Sequence, residues 1–301
     1  MEKGAHRKIG IIRGGKKHYN ASLKEGSDLI AHVFERLSHA WKPIDIFIDK
    51  NGAWHARGVP ASPENFAEKA DVFWDTTRNH EHLLIGNVPV VNASGGIASL
   101  SISGRKMFEE SMKEIGVRIP RHILIPEYQQ DIDGPLEKFI LKKSSEIFEK
   151  FSPPWQVRLY PGSAKEGARL VRTFPELSNA LADGVGYGRS ILIEEYVGGE
   201  KIQLHSVAGF RGQETYVFPP TEGRKAEKEK AVNLAKSLHK YVPAPHYLFA
   251  QFVFHPKRGV YLEELEFSPD LDPQSHFAKA CASVGAKMHH VIEHILGKAK
   301  V

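Results

Sequence analysis

Residues 261–277 read YLEELEFSPDLDPQSHF, and the placement of their acids decides how the chain is read. An apolar run from Tyr247 to Phe254 is followed by His255-Pro256-Lys257-Arg258-Gly259 and a second run, the pattern of two strands joined by a turn. Glu264 and Glu266 fall inside the return strand, where residues two apart share a face. Like charges that close repel unless a cation or a proton lies between them. Glu263 is expected on the other face, toward water. The spacing alone fits a divalent-cation site and a solvated strand face equally well.

The 301 residues are 41% hydrophobic, with 26 Gly and 18 Pro spread along the chain, the composition of a globular protein of about two to three domains. The one cysteine, Cys281, excludes an internal disulfide and fits a reducing compartment. The opening MEKGAHRKIGIIRGG runs directly into a short apolar strand, and no stretch reaches the ~18 apolar residues of a membrane span. A soluble, cytoplasmic protein is expected. Lys and Arg number 41 against 36 Asp and Glu, a balance of +5 spread along the chain. That suits an anionic small molecule and does not single out nucleic acid. The run RKAEKEK at 224–230 alternates in sign as the exposed start of a helix does.

Strand and helix signals alternate over the first ~95 residues: strands at Ile9–Ile12, Ile44–Ile48, Val72–Trp74 and Val88–Val91, and an amphipathic helix at Ser22–Leu37. This is the rhythm of a parallel α/β sheet. A helix is expected from Arg105 to Ile115, a Pro-bounded strand in GVRIPRHILI, and a helix over Pro135–Lys150 stopped by Ser152-Pro153-Pro154. WQVRLY and ARLVRTF then read as strands around a glycine-containing turn, before a helix opened by Pro175. The last block begins at Ser190 with strand, link and strand, and continues through a Lys228–His239 helix and the strand pair to a closing helix, Ala278–Leu296. The class is α/β with an α+β C-terminal part, divided at 1–96, 97–189 and 190–301.

Several short motifs carry chemistry in varying degree. His290-Val291-Ile292-Glu293-His294 matches H-x-x-E-H, yet a chain with 16 histidines meets such patterns by chance, and a surface helix is the better reading. Gly14-Gly15 after the first strand is a tight turn and lacks the G-x-G-x-x-G spacing. RLYPGSAKEG at 158–167 places the cation Arg158 at a strand end before Gly162, Ser163 and Gly167, whose small side chains would let backbone N–H groups approach phosphate. A polar hairpin explains the same residues. ILIEEYVGGE at 191–200 could offer free backbone groups to a purine edge and Glu200 to a ribose, or could be a solvent-facing link.

Taken in order, these pieces resemble the ATP-grasp superfamily, and within it the D-alanine–D-alanine ligases, over nearly the whole chain. The family writes E-x-N-t-x-P-G-x-T-x-x-S before a helix, and residues 264–275, ELEFSPDLDPQS, hold the same register. The resemblance implies that Glu264 and Glu266 bind magnesium and that Ser275 meets the substrate carboxylate. It implies that Glu194, Glu195 and Val197 line adenine, that Glu200 holds ribose, and that Arg105 and Arg158 replace two phosphate-binding lysines beside Gly162, Ser163 and Gly167. Arg105 would open its helix. Arg158 would also serve catalysis as a cation on the transferring phosphate.

Departures accompany the matches. Gln251 stands where the family has a metal-binding Asp and is a candidate ligand through its neutral carbonyl, whereas Phe249 cannot replace the family's arginine that stabilises developing charge. GGKKHYNASL at 14–23 lacks the N-terminal motif's glutamate, TTRNHEHLLIG replaces H-G-x-x-G-E-D-G, and the segment after Val217 is too short for the usual covering loop. The resemblance implies an ATP- and Mg²⁺-dependent carboxylate–amine ligase acting through an acyl phosphate, with altered substrate or reduced activity. The alternative is a degenerate ATP-grasp protein that binds nucleotide or a partner without ligase chemistry. The expected partner is an amino acid or other small carboxylate, not nucleic acid or membrane, and a homodimer is left open.

Overall fold

The computed structural model describes residues 6–16, 19–77, 85–91, 102–160, 167–242 and 246–299, and only the backbone of 102–105. The chain forms two compact units, one of residues 1–97, 202–251 and 265–301 and the other of 98–201 and 252–264.

In the first unit, strand β1 (Arg7–Gly14) leads into helix α1 (Tyr19–Arg36) and then β2 (Trp41–Ile48), β3 (Trp54–Ala56), β4 (Val59–Pro60), α2 (Glu64–Ala67), β5 (Val72–Asp75) and β6 (Val90–Val91). The sheet order is β4-β3-β2-β1-β5-β6. β1 runs parallel to β2 and β5, and β5 parallel to β6, as the alternating pattern requires. β1 is apolar on both faces because both are covered. Ile9 and Ile11 pack with Leu29 and Val33 of α1, while Ile12 packs with Ile46, Phe66 and Phe73. Gly10 is required there, since a Cβ would lie 2.5 Å from the Phe73 ring.

The edge differs from a purely parallel expectation. β3 and β4 form an antiparallel hairpin on β2, closed by Arg57-Gly58 with φ of 52° and 80°. Two successive positive φ values are what a tight hairpin turn needs. The Asn51-Gly52 and Arg57-Gly58 pairs were the available signals, but strands of three and two residues are too short to show alternation.

The C-terminal part of this unit carries β13 (Thr215–Val217), α7 (Lys225–Tyr241), α8 (His276–Ser283) and α9 (Met288–Lys298). Its Phe277, Val291, Ile292 and Ile295 join the β1–α1 cluster. The single closing helix expected from 278 to 296 is two helices, because Gly285, at φ 66°, breaks it. Cys281 is buried in this cluster, and burial pushes its thiol up to about 12.

The second unit contains α3 (Ile102–Glu114), β7 (Val117–Arg118), β8 (His122–Ile125), α4 (Gln130–Asp133), α5 (Leu136–Lys150), β9 (Trp155–Tyr160), β10 (Arg169–Val171), α6 (Phe174–Val185) and β11 (Ser190–Glu195). An antiparallel sheet runs β10-β9-β11-β8. Its odd-numbered residues, Trp155, Val157, Ile191 and Ile193, pack with Phe139 and Ile147 of α5 and Leu177 and Leu181 of α6. The even-numbered Arg158, Leu192 and Glu194 are thereby left for the opposite face. GVRIPRHILI is two strands rather than one: β7 pairs with β15 and β8 with β11. Pro120 separates them, having no N–H to continue a ladder.

Three strands pass from unit to unit along the chain: β12 (Glu200–Ala208), β14 (Tyr247–His255) and β15 (Gly259–Glu266), in the order β13-β12-β14-β15-β7. No helix among the described residues is long and apolar enough to cross a membrane.

Glu195 closes β11 within the second unit. Its buried carboxylate accepts from Arg121 Nε at 2.7 Å and from Arg258. Burial disfavours its charge, but the two arginine hydrogen bonds outweigh burial and hold the carboxyl below its ordinary value. A depressed carboxyl contributes stability that is full above the unfolded-state pKa and is lost as pH falls through the folded-state value. Glu195→Gln should therefore destabilise the protein at neutral pH. The penalty should shrink as the pH is lowered from neutrality through the acidic range, as measured by denaturant midpoints across that range. A penalty independent of pH would show that the charge is not what holds the strand end.

Candidate functional site

On the face of the second unit's sheet opposite its helices, Arg158 lies opposite Leu192 in register, so Glu194 is its diagonal neighbour. Arg158 Nε and Nη2 each lie 3.0 Å from Glu194 Oε2. Their side chains are only 9% and 11% exposed, so water screens this pair little. Arg158 and Glu194, to which the resemblance gives separate roles at phosphate and adenine, thus meet each other. Glu195 points to the other face and is held by its arginines. Val197 is buried with Val253 and Tyr261, and Glu200 opens β12 half-buried. Gly199, at φ 152°, passes so close to Phe254 that a Cβ would sit 2.5 Å from its carbonyl oxygen. Only glycine fits this link.

Arg105 lies in the first turn of α3, and nothing beyond its backbone is described. Gly162 and Ser163 lie outside the described residues, while Gly167 has φ 105° and no described residue within 4 Å of where a Cβ would be. Convergence of these residues with Arg158 therefore stays an expectation.

In β15, Glu264 is half-buried and Glu266 buried. Glu263 does not simply face water, as alternation had suggested. It pairs with Lys201 Nζ at 2.7 Å and accepts from Gln156 Nε2 at 3.4 Å. Lys201 comes from β12, two strands away in the same sheet, and Gln156 from β9 of the other sheet. Gln251, buried in β14, accepts at its carbonyl oxygen from Gln203 Nε2 at 2.6 Å. The oxygen that could meet a cation already serves an amide. Among the described residues no group of three or more His, Cys, Asp or Glu side chains is arranged to hold a metal. A magnesium ion here would draw on Glu264 and Glu266 with phosphate oxygens and water completing its shell, a donor set that Mg²⁺ accepts.

The segment after β15 is tied down by its own turns. Ser268 bonds Glu25, Asp270 accepts from Asp272 N at 3.1 Å, and Asp272 from Gln274 N at 2.8 Å. Ser275 is the N-cap of α8: its hydroxyl accepts from Ala278 N at 3.1 Å and donates to Asp270 O at 2.9 Å. A cap satisfies an otherwise orphaned helix donor, so Ser275 has a folding role beside any ligand role.

Next to Ser275 lies a group that the sequence reading missed. His276 Nδ1 is 2.7 Å from His205 Nε2, and His205 Nδ1 is 2.6 Å from the Tyr247 hydroxyl. Phe249 packs on His205 at 5.2 Å between ring centroids. The three polar residues are 29 to 71 positions apart, so no local motif signals them. His239 bonds Ser206 at 2.8 Å, and burial lowers its pKa to about 4. Within H-x-x-E-H, His294 donates to Ala208 O at 2.9 Å and Glu293 meets His39. These contacts suit helix packing.

At the carboxyl ends of β1 and β5, Gly14 and Gly15 take φ of 94° and 91°, and the Ser22 hydroxyl accepts from Gly14 N at 2.9 Å. Asp75 Oδ1 accepts from Thr77 N and Thr77 Oγ1 at 2.7 and 2.6 Å. The middle of TTRNHEHLLIG lies outside the described residues.

No family model matches the chain, and no curated protein matches its sequence. Solved structures do. D-alanyl-alanine synthetase A from Vibrio cholerae superposes with a TM-score of 0.69 at 13% identity, covering 98% of each chain. The VanG D-Ala:D-Ser ligase from Enterococcus faecalis gives 0.69 at 13%, over 97% of this chain and 99% of its own. The Bacillus anthracis D-alanine–D-alanine ligase complexed with ATP gives 0.64 at 16%, over 97% and 96%. Over nearly its whole length, the chain has the ATP-grasp fold of the D-alanine–D-alanine ligases.

Proposed function

We propose that the protein is an ATP- and Mg²⁺-dependent carboxylate–amine ligase acting through an acyl phosphate on a substrate other than paired D-alanine. The observation that carries this reading is β15, which keeps Glu264 and Glu266 on one strand face in a fold shared end to end with ATP-dependent ligases. Magnesium would neutralise charge on the nucleotide phosphates. Arg158 would bind phosphate from a rigid strand, its guanidinium oriented by Glu194. Glu264 and Glu266 would hold the metal, and the segment ending at Ser275 would orient the substrate carboxylate. Positioning and charge stabilisation would supply most of the rate.

Three observations favour a second reading, a nucleotide-binding protein without ligase chemistry. Gln251 is committed to Gln203, Arg158 to Glu194, and Phe249 is buried against His205. ADP release with ATP, Mg²⁺ and each of a panel of amino acids separates the two. Stimulation by a particular acid supports the ligase, and a flat panel with measurable ATP binding supports the binder.

Two further outcomes are expected. Arg158→Ala should weaken ATP by about 1.5–3 kcal/mol, the loss of a charged hydrogen bond, measured by titration calorimetry; unchanged affinity would remove Arg158 from the site. With saturating D-alanine, dipeptide formation should fall below the ordinary enzyme range of ~1–10³ s⁻¹. The reason is that Phe249 offers no guanidinium and GGKKHYNASL no acid for the substrate ammonium. Turnover within that range would show that other groups supply both.

A further inference from the structure

Four histidines gather where α9 meets α1 within the first unit. His32 is half-buried on α1, between the core residues Leu29 and Val33 and the surface. Its Nε2 is shut off from solvent and has no hydrogen-bond partner among the described residues. Across from it stands His289, the second residue of α9, with 6.3 Å between ring centroids. His290 lies edge-on to His289 at 4.4 Å, and His39 meets Glu293 at 3.2 Å. The H-x-x-E-H run thus supplies one side of a cluster whose other side is α1. Charges of both signs reach the two facing rings: Arg36 and Glu35 act on His32, and Lys287, Arg36 and Glu293 on His289. Asp28, one turn before His32, is paired with Lys24 at 2.8 Å.

A neutral ring suits this place and a charged one does not. Protonated imidazole carries two N–H donors, so a charged His32 would bury a donor with nothing to accept it. Burial lowers the pKa of His32, with His289 and Arg36 adding to it against Glu35. Burial lowers His289 as well, with His290, Lys287 and Arg36 adding against Glu293. His289 also stands at the positive end of the α9 dipole, where a cation is unfavourable. That end is weakly held: Lys287, its N-cap, makes no side-chain cap, and Gly285 just before it takes φ 66°. The rest of the helix is anchored, because Val291, Ile292, Ile295 and Leu296 are buried in the core. We propose that the joint between α1 and α9 is an acid-sensitive latch: protonation of His32 and His289 drives the start of α9 away from α1 while the apolar face of the helix stays docked. Both rings are held below the ordinary histidine value of 6.5, so as pH falls through that value the opened state binds more protons than the closed one. The latch is therefore fully closed above it and loosens below it. The His39–Glu293 pair runs the other way, since acid charges His39, but its side chains are 64% and 39% exposed and such a pair contributes little.

The test combines a histidine NMR titration of the full chain with hydrogen exchange, over about pH 8 to about pH 5. In the wild type, His32 and His289 should both titrate below 6.5, and His32→Gln should raise the titration point of His289 by removing a neighbouring charge. A wild-type His32 that titrates at or above 6.5 overturns the proposal even if no variant folds. Exchange, corrected at each pH for the intrinsic rate, should show the amides in the first half of α9 losing protection on acidification more than those of α7 in the same unit. His32→Gln combined with His289→Gln should remove most of that extra loss. His239 and His246, whose charging burial also opposes, act alike in both proteins and cancel from the comparison. Equal loss at α9 in wild type and double variant overturns the latch, as does a loss spread evenly over α7 and α9. None of these readouts requires nucleotide or substrate.

Discussion

Two adjacent carboxylates leave the end of β11 on opposite faces, and arginines meet both. Strand geometry makes this unavoidable: Glu194 must share the face of Leu192, and Glu195 that of Ile193. On one side Arg158 reaches across from β9, and on the other Arg121 and Arg258 close over the strand end. Either acid would be costly at this depth without such partners. The link to β12 starts from these anchors, and Gly199 then carries it past Phe254.

The same economy holds within the first unit. Gln251 accepts from Gln203, Ser275 caps α8, and Tyr247, His205 and His276 are joined in one hydrogen-bonded chain. Groups that would bind ligand in a ligase of ordinary sequence also satisfy internal needs here. On the proposed reading, a ligand would compete with, or extend, contacts already made.

The fold was largely legible because its signals are local or periodic. Alternating β and α patterns placed β1, α1, β2 and β5, and Pro175 and Ser152-Pro153-Pro154 marked helix limits near α6 and α5. The short hairpin β3–β4, the split at Pro120 and the break at Gly285 were missed because two- or three-residue elements carry no period and a single glycine does not announce a break. For the site, sequence register proposed Arg158 and Glu194 separately, but their contact depends on strand pairing. The Tyr247–His205–His276 contacts were invisible, since they join segments far apart in the chain.

Cys281 has a practical consequence. Enclosed among apolar neighbours, with its thiol shifted to about 12, it holds almost no thiolate at neutral pH and is shielded from reagents. The chain is in effect cysteine-free toward maleimides. A thiol introduced at any exposed position, such as Tyr187 in the second unit or Phe34 in the first, would carry a fluorophore or spin label without background. Each unit's response to nucleotide could then be followed by itself in the otherwise unaltered protein.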